Sequence, residues 1–313
     1  MILKKPIFWD EKIGIISVIL LPLTLIFFII IFLKKKIIKP KTFNIPIICV
    51  GNLYVGGTGK TPSTILLANE LKKLGHNPVI VRKYYQTHTD EHQLIQENFK
   101  NLILNKSRIE GIKKSIKNNF DSIILDDGFQ DFSIKTNLNI VCFNQNQLIG
   151  NGLILPSGPL RESLNSLKRA DIVLINGEKN INFEDKILKV NKNLEIYYSS
   201  YKPVNLNEFL NKKLLAFAGI GNPENFFQLL QKNNLAVEKK IVFPDHYTFS
   251  QKEVHNIINE AEIKNFDIIT TEKDYFKIKK FRTDKIKYLK VLLEIENKDK
   301  LLNKVKKSYD KNL

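Results

Sequence analysis

The sequence predicts an α/β protein: a mostly parallel sheet with helices on both faces, a smaller C-terminal α/β domain, and an N-terminal membrane helix. Three observations carry this. Short apolar runs recur along the first two thirds of the chain: "IPIICV" (45–50), "PVIVR" (78–82), "DSIILDD" (121–127), "LNIVCF" (138–143) and "DIVLI" (171–175). Runs without polar alternation, separated by helical spacing, are the pattern of parallel strands buried on both faces. The series resumes with "KLLAFAGI", "KKIVF", "FDIITT" and "YLKVLLEIE" after residue 212, enough for a second sheet. Finally, Ile13–Leu33 contains no charged residue.

As one helix, Ile13–Leu33 would reach about 30 Å, the hydrocarbon thickness of a bilayer. Lysines 34, 35, 36, 39 and 41 follow it. Positive flanks stay in the cytoplasm, so the rest of the chain is expected to be cytoplasmic. No small-x-small cleavage site precedes the lysines, which argues against a removed leader. Pro22 lies within the run, so a spanning helix and one lying in a single leaflet both remain open. Trp9 suits an interfacial anchor. The formal net charge of +17 favours an anionic membrane surface or a phosphorylated ligand. No helix-turn-helix, zinc or aromatic-basic pattern accompanies it, so no nucleic acid is expected as partner. Cys49 and Cys142 lie in apolar runs and read as core thiols.

The expected organisation is an anchor and basic flank over 1–41, a first α/β domain over 42–192, a hairpin connector over 193–212 and a smaller α/β domain over 213–313. Helices are expected over about 61–74, 223–233 and 250–263. The stretch from Glu91 to Phe120 is polar and helical in pattern, and the lysine-rich C-terminus reads as a frayed, solvated end.

The first strand leads into "GNLYVGGTGKTP" (51–62). A P-loop of the form Gly-x-x-x-x-Gly-Lys-Ser/Thr would need glycine at position 54, where this chain has Tyr54. Its second half is intact. Gly56, Gly57 and Gly59 let backbone N–H groups turn toward phosphate oxygens, and a helix begins at Thr61 with its dipole aimed the same way. Val55, Gly56, Gly57, Thr58, Gly59, Lys60 and Thr61 are therefore the nucleotide-binding candidates. Lys60 suits the β- and γ-phosphates and the Thr61 hydroxyl suits Mg²⁺. "GGTGKT" is nearer to the deviant P-loops, although Val55 stands where those often carry lysine. Asp126 and Asp127, closing an apolar strand, supply the carboxylates that organise Mg²⁺. No Asn-Lys-x-Asp run is present to read guanine. ATP and Mg²⁺ are the expected cofactors.

With "VGNLYVGGTGKTP", "DDGFQD", "NGLILPSGPLRE", "FPDHYTFS" and "TTEKD" in this order, the chain resembles the tetraacyldisaccharide 4′-kinases over nearly its whole length. The resemblance implies transfer of the γ-phosphate of ATP to the 4′-hydroxyl of an acylated glucosamine disaccharide 1-phosphate lipid, giving lipid IVA, at the inner membrane. It implies that Lys60 acts on phosphate, that Asp126, Asp127 and Glu162 serve the metal site with Thr61, and that Asp90 pairs with His246 at the acceptor hydroxyl. Arg161 is open between a phosphate contact and an ion pair, Asp245 between a functional and a capping role, and Glu272 and Asp274 are expected to shape a loop. The chain departs from the family in three places. "VRKYYQTH" replaces a Ser-Arg-Gly-Tyr-Gly-Gly run while keeping Arg82 and Tyr84. Thr89 replaces the glycine before Asp90. Asp131 replaces a histidine after "DDGFQ". The alternative is a membrane-anchored deviant P-loop ATPase switch acting on a protein partner; Val55 in place of lysine argues against it.

Overall fold

The structure is a computed structural model that describes residues 6–86, 88–245, 247–281 and 284–310. After helices α1 (Ile15–Ile19) and α2 (Leu21–Ile37), strands and helices alternate: β1 (Ile47–Gly51), α3 (Lys60–Lys73), β2 (Pro78–Lys83), α4 (Thr89–Asn98), β3 (Leu102–Asn105), α5 (Arg108–Lys117), β4 (Ser122–Asp126), β5 (Leu138–Asn144), β6 (Ile172–Asn176), α6 (Ile181–Leu188) and β7 (Glu195–Pro203). The second series is β8 (Lys213–Ala218), α7 (Pro223–Lys232), β9 (Ala236–Val242), α8 (Gln251–Ile263), β10 (Asp267–Thr271), α9 (Glu272–Ile278), β11 (Ile286–Leu289), β12 (Val291–Ile295) and α10 (Lys298–Asp310). Two compact units result. The larger draws on residues 5–84, 99–200 and 294–313; the smaller draws on 85–98 and 201–293.

The larger sheet has strand order β12-β7-β6-β5-β1-β4-β2-β3. β1 lies parallel between β4 and β5. The chain moves outward from β1 to β2 and β3, returns to β4, then crosses to β5 on the other side of β1. That reversal opens a crevice at the carboxyl end of β1, where doubly wound sheets bind ligands. β1 and β4 are buried at every position. Their Ile, Val and Leu side chains pack on both faces, as a covered parallel sheet requires.

The smaller sheet is parallel throughout, in the order β11-β10-β8-β9. Leu214, Ala216 and Ala218 of β8 pack with Phe226, Phe227 and Leu230 of α7 on one face. Leu215 and Phe217 face the other way, toward Val254 and Ile257 of α8. The start of α8 is fixed by a capping box between Ser250 and Glu253.

Three expectations are corrected. Residues 91–120 are not wholly helical, because "LILN" pairs with β2 as the edge strand β3. The C-terminus is not frayed through Asp310. α10 buries Leu301, Leu302 and Val305, Tyr309 stacks on His76 at 4.8 Å, and Lys304 reaches Glu195 at 2.7 Å.

The third concerns the N-terminal membrane helix. Among the described residues no helix is long and apolar enough to cross a membrane. The apolar run divides at Leu20, two residues before Pro22. Proline has no N–H to donate, so α1 does not continue unbroken into α2. From Leu21 to Leu33, α2 reaches only about 20 Å before its three lysines. Both helices and the turn before them are tied to residues 151–162. Trp9 Nε1 donates to Pro156 O at 3.0 Å, Asn151 Nδ2 donates to Ser17 Oγ of α1 at 3.2 Å, and Thr24 Oγ1 of α2 donates to Ser157 Oγ at 2.8 Å.

Candidate active site

The glycine loop joins β1 to α3 at the carboxyl edge of the larger sheet. Gly59 takes φ +85° immediately before α3, a left-handed conformation that glycine adopts without steric cost. Thr58 is buried, and its hydroxyl accepts from Asn52 Nδ2 at 3.3 Å. Tyr54 is not a phosphate-loop residue in any direct sense. Its ring is fully buried against Phe143, and its hydroxyl accepts from Asn144 N at 2.7 Å. The amide of Val55 donates to Pro159 O at 3.0 Å, and Arg161 N donates to Leu53 O at 2.7 Å. The first half of the loop is thus held by the core and by the 151–162 segment, leaving the glycines and the helix start to form the open cradle.

Asp126 ends β4, fully buried, opposite the start of α3. Its carboxylate accepts from Thr61 Oγ1 at 3.2 Å and Thr64 Oγ1 at 3.1 Å, and it pairs with Arg82. Arg82 reaches it because the two residues are register partners on β2 and β4. Asp127 follows with φ +55°, a conformation uncommon outside glycine that turns its carboxylate toward Arg161 at 3.0 Å and Lys60 at 3.8 Å. Burial pushes the Asp127 carboxyl up, but Lys60 and then Arg161, Arg82 and Arg108 outweigh it and hold it well below the usual carboxylate range. Arg108 Nη2 donates to Asp127 O at 2.5 Å and its Nη1 reaches Asp131 at 3.3 Å. Gln130 closes the arrangement by donating to Asn52 O at 2.8 Å.

Glu162, the residue after Arg161, is buried and held by Lys35 of α2 at 2.8 Å and by Arg169 at 3.0 Å. Among the described residues no three His, Cys, Asp or Glu side chains cluster as a metal centre. The Thr61 hydroxyl and the two aspartates nevertheless fit Mg²⁺, a hard cation that keeps several waters and substrate oxygens and needs only one or two carboxylates.

Asp90 belongs to the smaller unit. It lies in the first turn of α4, is 2% exposed, and opens on a cavity of about 420 Å³ that Gln93, Tyr247, Phe276 and Lys277 also line. Lys273 and Lys277 approach its carboxylate at 3.3 and 3.5 Å. His246 lies outside the described residues; Asp245 before it pairs with Lys273 at 3.2 Å.

Residues 16–310 match the sequence profile of the tetraacyldisaccharide-1-P 4′-kinase family. The chain belongs to this family. A tetraacyldisaccharide 4′-kinase of Pelagibacter ubique is 42% identical over 99% of both chains, and one of Rickettsia bellii is 34% identical over 97% of this chain and 98% of its own. The fold is that of the LpxK of Aquifex aeolicus crystallised with ATP: TM-score 0.72, 22% identity, covering 94% of this chain and 100% of that one.

Within that family frame, the structure brings Lys60, Thr61, Asp126 and Asp127 together and places Glu162 in a separate ion-pair group. Reading the sequence left out Arg82, Arg108 and Thr64 as carboxylate partners. Arg82 carried a usable signal: a charged residue closing a buried apolar strand rarely lacks a partner. Arg108 and Thr64 carried none, since their roles come from helix placement. Asp131, which departs from the family's histidine, is the partner of Arg108.

Proposed function

We propose that the protein is an ATP-dependent lipid kinase that transfers the γ-phosphate of ATP to the 4′-hydroxyl of tetraacyldisaccharide 1-phosphate. The product is lipid IVA, an intermediate of lipid A. The observation that carries this reading is the Lys60–Asp127–Arg161 group beside Thr61 and Asp126, at the carboxyl end of β1, in a chain of this family.

The triphosphate would lie in the cradle from Gly56 to Thr61, with backbone N–H groups, the α3 dipole and Lys60 supplying positive potential. Arg161 and Arg82 add charge on the same side. Thr61, Asp126 and Asp127 would hold Mg²⁺, which when bound neutralises phosphate oxygens. Asp90, with His246, would orient the 4′-hydroxyl and accept its proton as the new O–P bond forms and ADP leaves. Positioning and electrostatics supply most of such catalysis.

An acylated acceptor accounts for the N-terminal helices. They expose Ile15, Ile19, Leu25, Phe28, Ile29 and Phe32, and α2 ends in Lys34, Lys35 and Lys36. Such a segment suits insertion into one leaflet of an anionic bilayer, with the lysines at the headgroups. This supports a place on the cytoplasmic face of the inner membrane. The ATPase-switch alternative is not favoured, given membership of this family over 16–310.

The test is transfer of labelled γ-phosphate from Mg-ATP to purified tetraacyldisaccharide 1-phosphate in detergent micelles. Wild type should label the lipid, and Lys60→Ala should lower the rate by about 100-fold or more. Unlabelled lipid with wild type would refute the reading.

A further inference from the structure

Lys273 lies in "TTEKD", whose flanking residues have evident structural parts. Thr271 caps α9, accepting from Asp274 N at 3.1 Å, while Asp274 accepts from Gly219 N at 2.7 Å and pairs with Lys277 at 2.8 Å. Those bonds tie the start of α9 to the end of β8. Lys273 takes no part in them. Its Nζ lies 3.2 Å from Asp245, 3.3 Å from Asp90 and 3.6 Å from Glu91. One ammonium therefore joins two separate segments, α4 and the loop before α8. Burial alone would make this ammonium easier to deprotonate; Asp245, Glu91, Asp90 and Asp274 outweigh that and hold its pKa above the ordinary value. It stays charged at neutral pH. Lys277 lines the cavity on which Asp90 opens, and Lys273 does not, so Lys273 stands behind the acid rather than beside whatever enters.

We propose that Lys273 is a positioning residue for phosphoryl transfer, tying the Asp90 carboxylate of α4 to Asp245 in the loop before α8 and so fixing Asp90 in place. This rests on the reading of Asp90 as the acceptor-side residue. A side chain that fixes a reacting group acts on the chemical step, because a misplacement of about 1 Å costs roughly 100-fold in rate. It has no reason to act on ATP binding.

The test is steady-state transfer to the disaccharide lipid by the full-length protein in micelles, varying ATP and acceptor separately. Lys273→Met should lower kcat by about 100-fold and leave KM for ATP unchanged. Lys273→Arg, keeping the charge, should recover most of the rate. Asp245→Asn, which weakens the same tie from its more exposed end, should lower kcat by a smaller factor. Combining Asp90→Asn with Lys273→Met should be no worse than Asp90→Asn alone. Should Lys273→Met fail to fold, Lys273→Arg and Asp245→Asn decide: wild-type kcat in Asp245→Asn would overturn the proposal. So would a Lys273→Met enzyme with near wild-type kcat, or one whose loss lies in KM for ATP. Asp90→Asn separates the two levels: full activity there would overturn the acceptor-side reading itself, while an inactive Asp90→Asn beside an active Lys273→Met would overturn only the role of Lys273.

Discussion

Tyr54 shows how a single side chain can look like a defect in a motif and be part of the core. The loop pattern asks for glycine there, yet the ring packs on Phe143 and the hydroxyl accepts from the Asn144 amide at 2.7 Å. Tyr54→Phe should cost about 1–3 kcal/mol, the penalty for a buried N–H left without its acceptor. Tyr54→Gly, which would restore the textual motif, should cost about 3–5 kcal/mol by emptying an aromatic site. Urea unfolding of the two variants checks both values. Equal stability of Tyr54→Gly and wild type would show that the ring is not structural. The sequence marked Tyr54 as a departure, but its partner is distant in the chain, and no local pattern links the two. Lys60, Thr61, Asp126 and Asp127 were legible because strand–loop–helix and strand–carboxylate contexts are local. Arg108 was not, because it reaches the loop after Asp126 only once α5 has packed on the sheet.

Between elements, the loop after β4 braces the loop after β1. An alanine Cβ at Gly51 would fall 2.5 Å from Phe129 Cβ and 3.0 Å from Phe129 N, so the two segments could not keep their present approach. Gly51→Ala should destabilise the protein by about 1–3 kcal/mol. It should also raise KM for ATP, because the glycine cradle and the Asp126–Asp127 pair would be pushed apart. Thermal unfolding and ATP titration of the rate test this together; an unchanged KM would show that the brace does not set the site. At this scale the buried strands were legible as continuous apolar runs. β3 was missed because a short edge strand owes its state to pairing with β2 more than to its own composition. α10 was missed because lysine-rich polarity hid Leu301, Leu302 and Val305, which lie on one face and are buried.

For the whole molecule, a mostly parallel sheet, a second smaller sheet and their order along the chain were readable, and the membership of α4 was not. α4 is inserted between β2 and β3 of the larger unit yet belongs with the smaller one, where it packs on α9 and presents Asp90 beside Lys273. Only long-range packing reveals that. The apolar N-terminus was legible as a helical run, and its division at Leu20 followed from Pro22. Full-length protein should float with vesicles rich in anionic lipid, and Leu25→Asp with Ile29→Asp should release it; flotation of the doubly substituted protein would remove these helices as the attachment. Whether the protein is a kinase or an ATPase switch is decided by counting ADP released and phospholipid formed in one reaction, with and without tetraacyldisaccharide 1-phosphate. A kinase should release one ADP per phosphorylated lipid and negligible ADP without the acceptor. ADP released at the same rate whether or not the lipid is present, with no phosphorylated lipid, would contradict it.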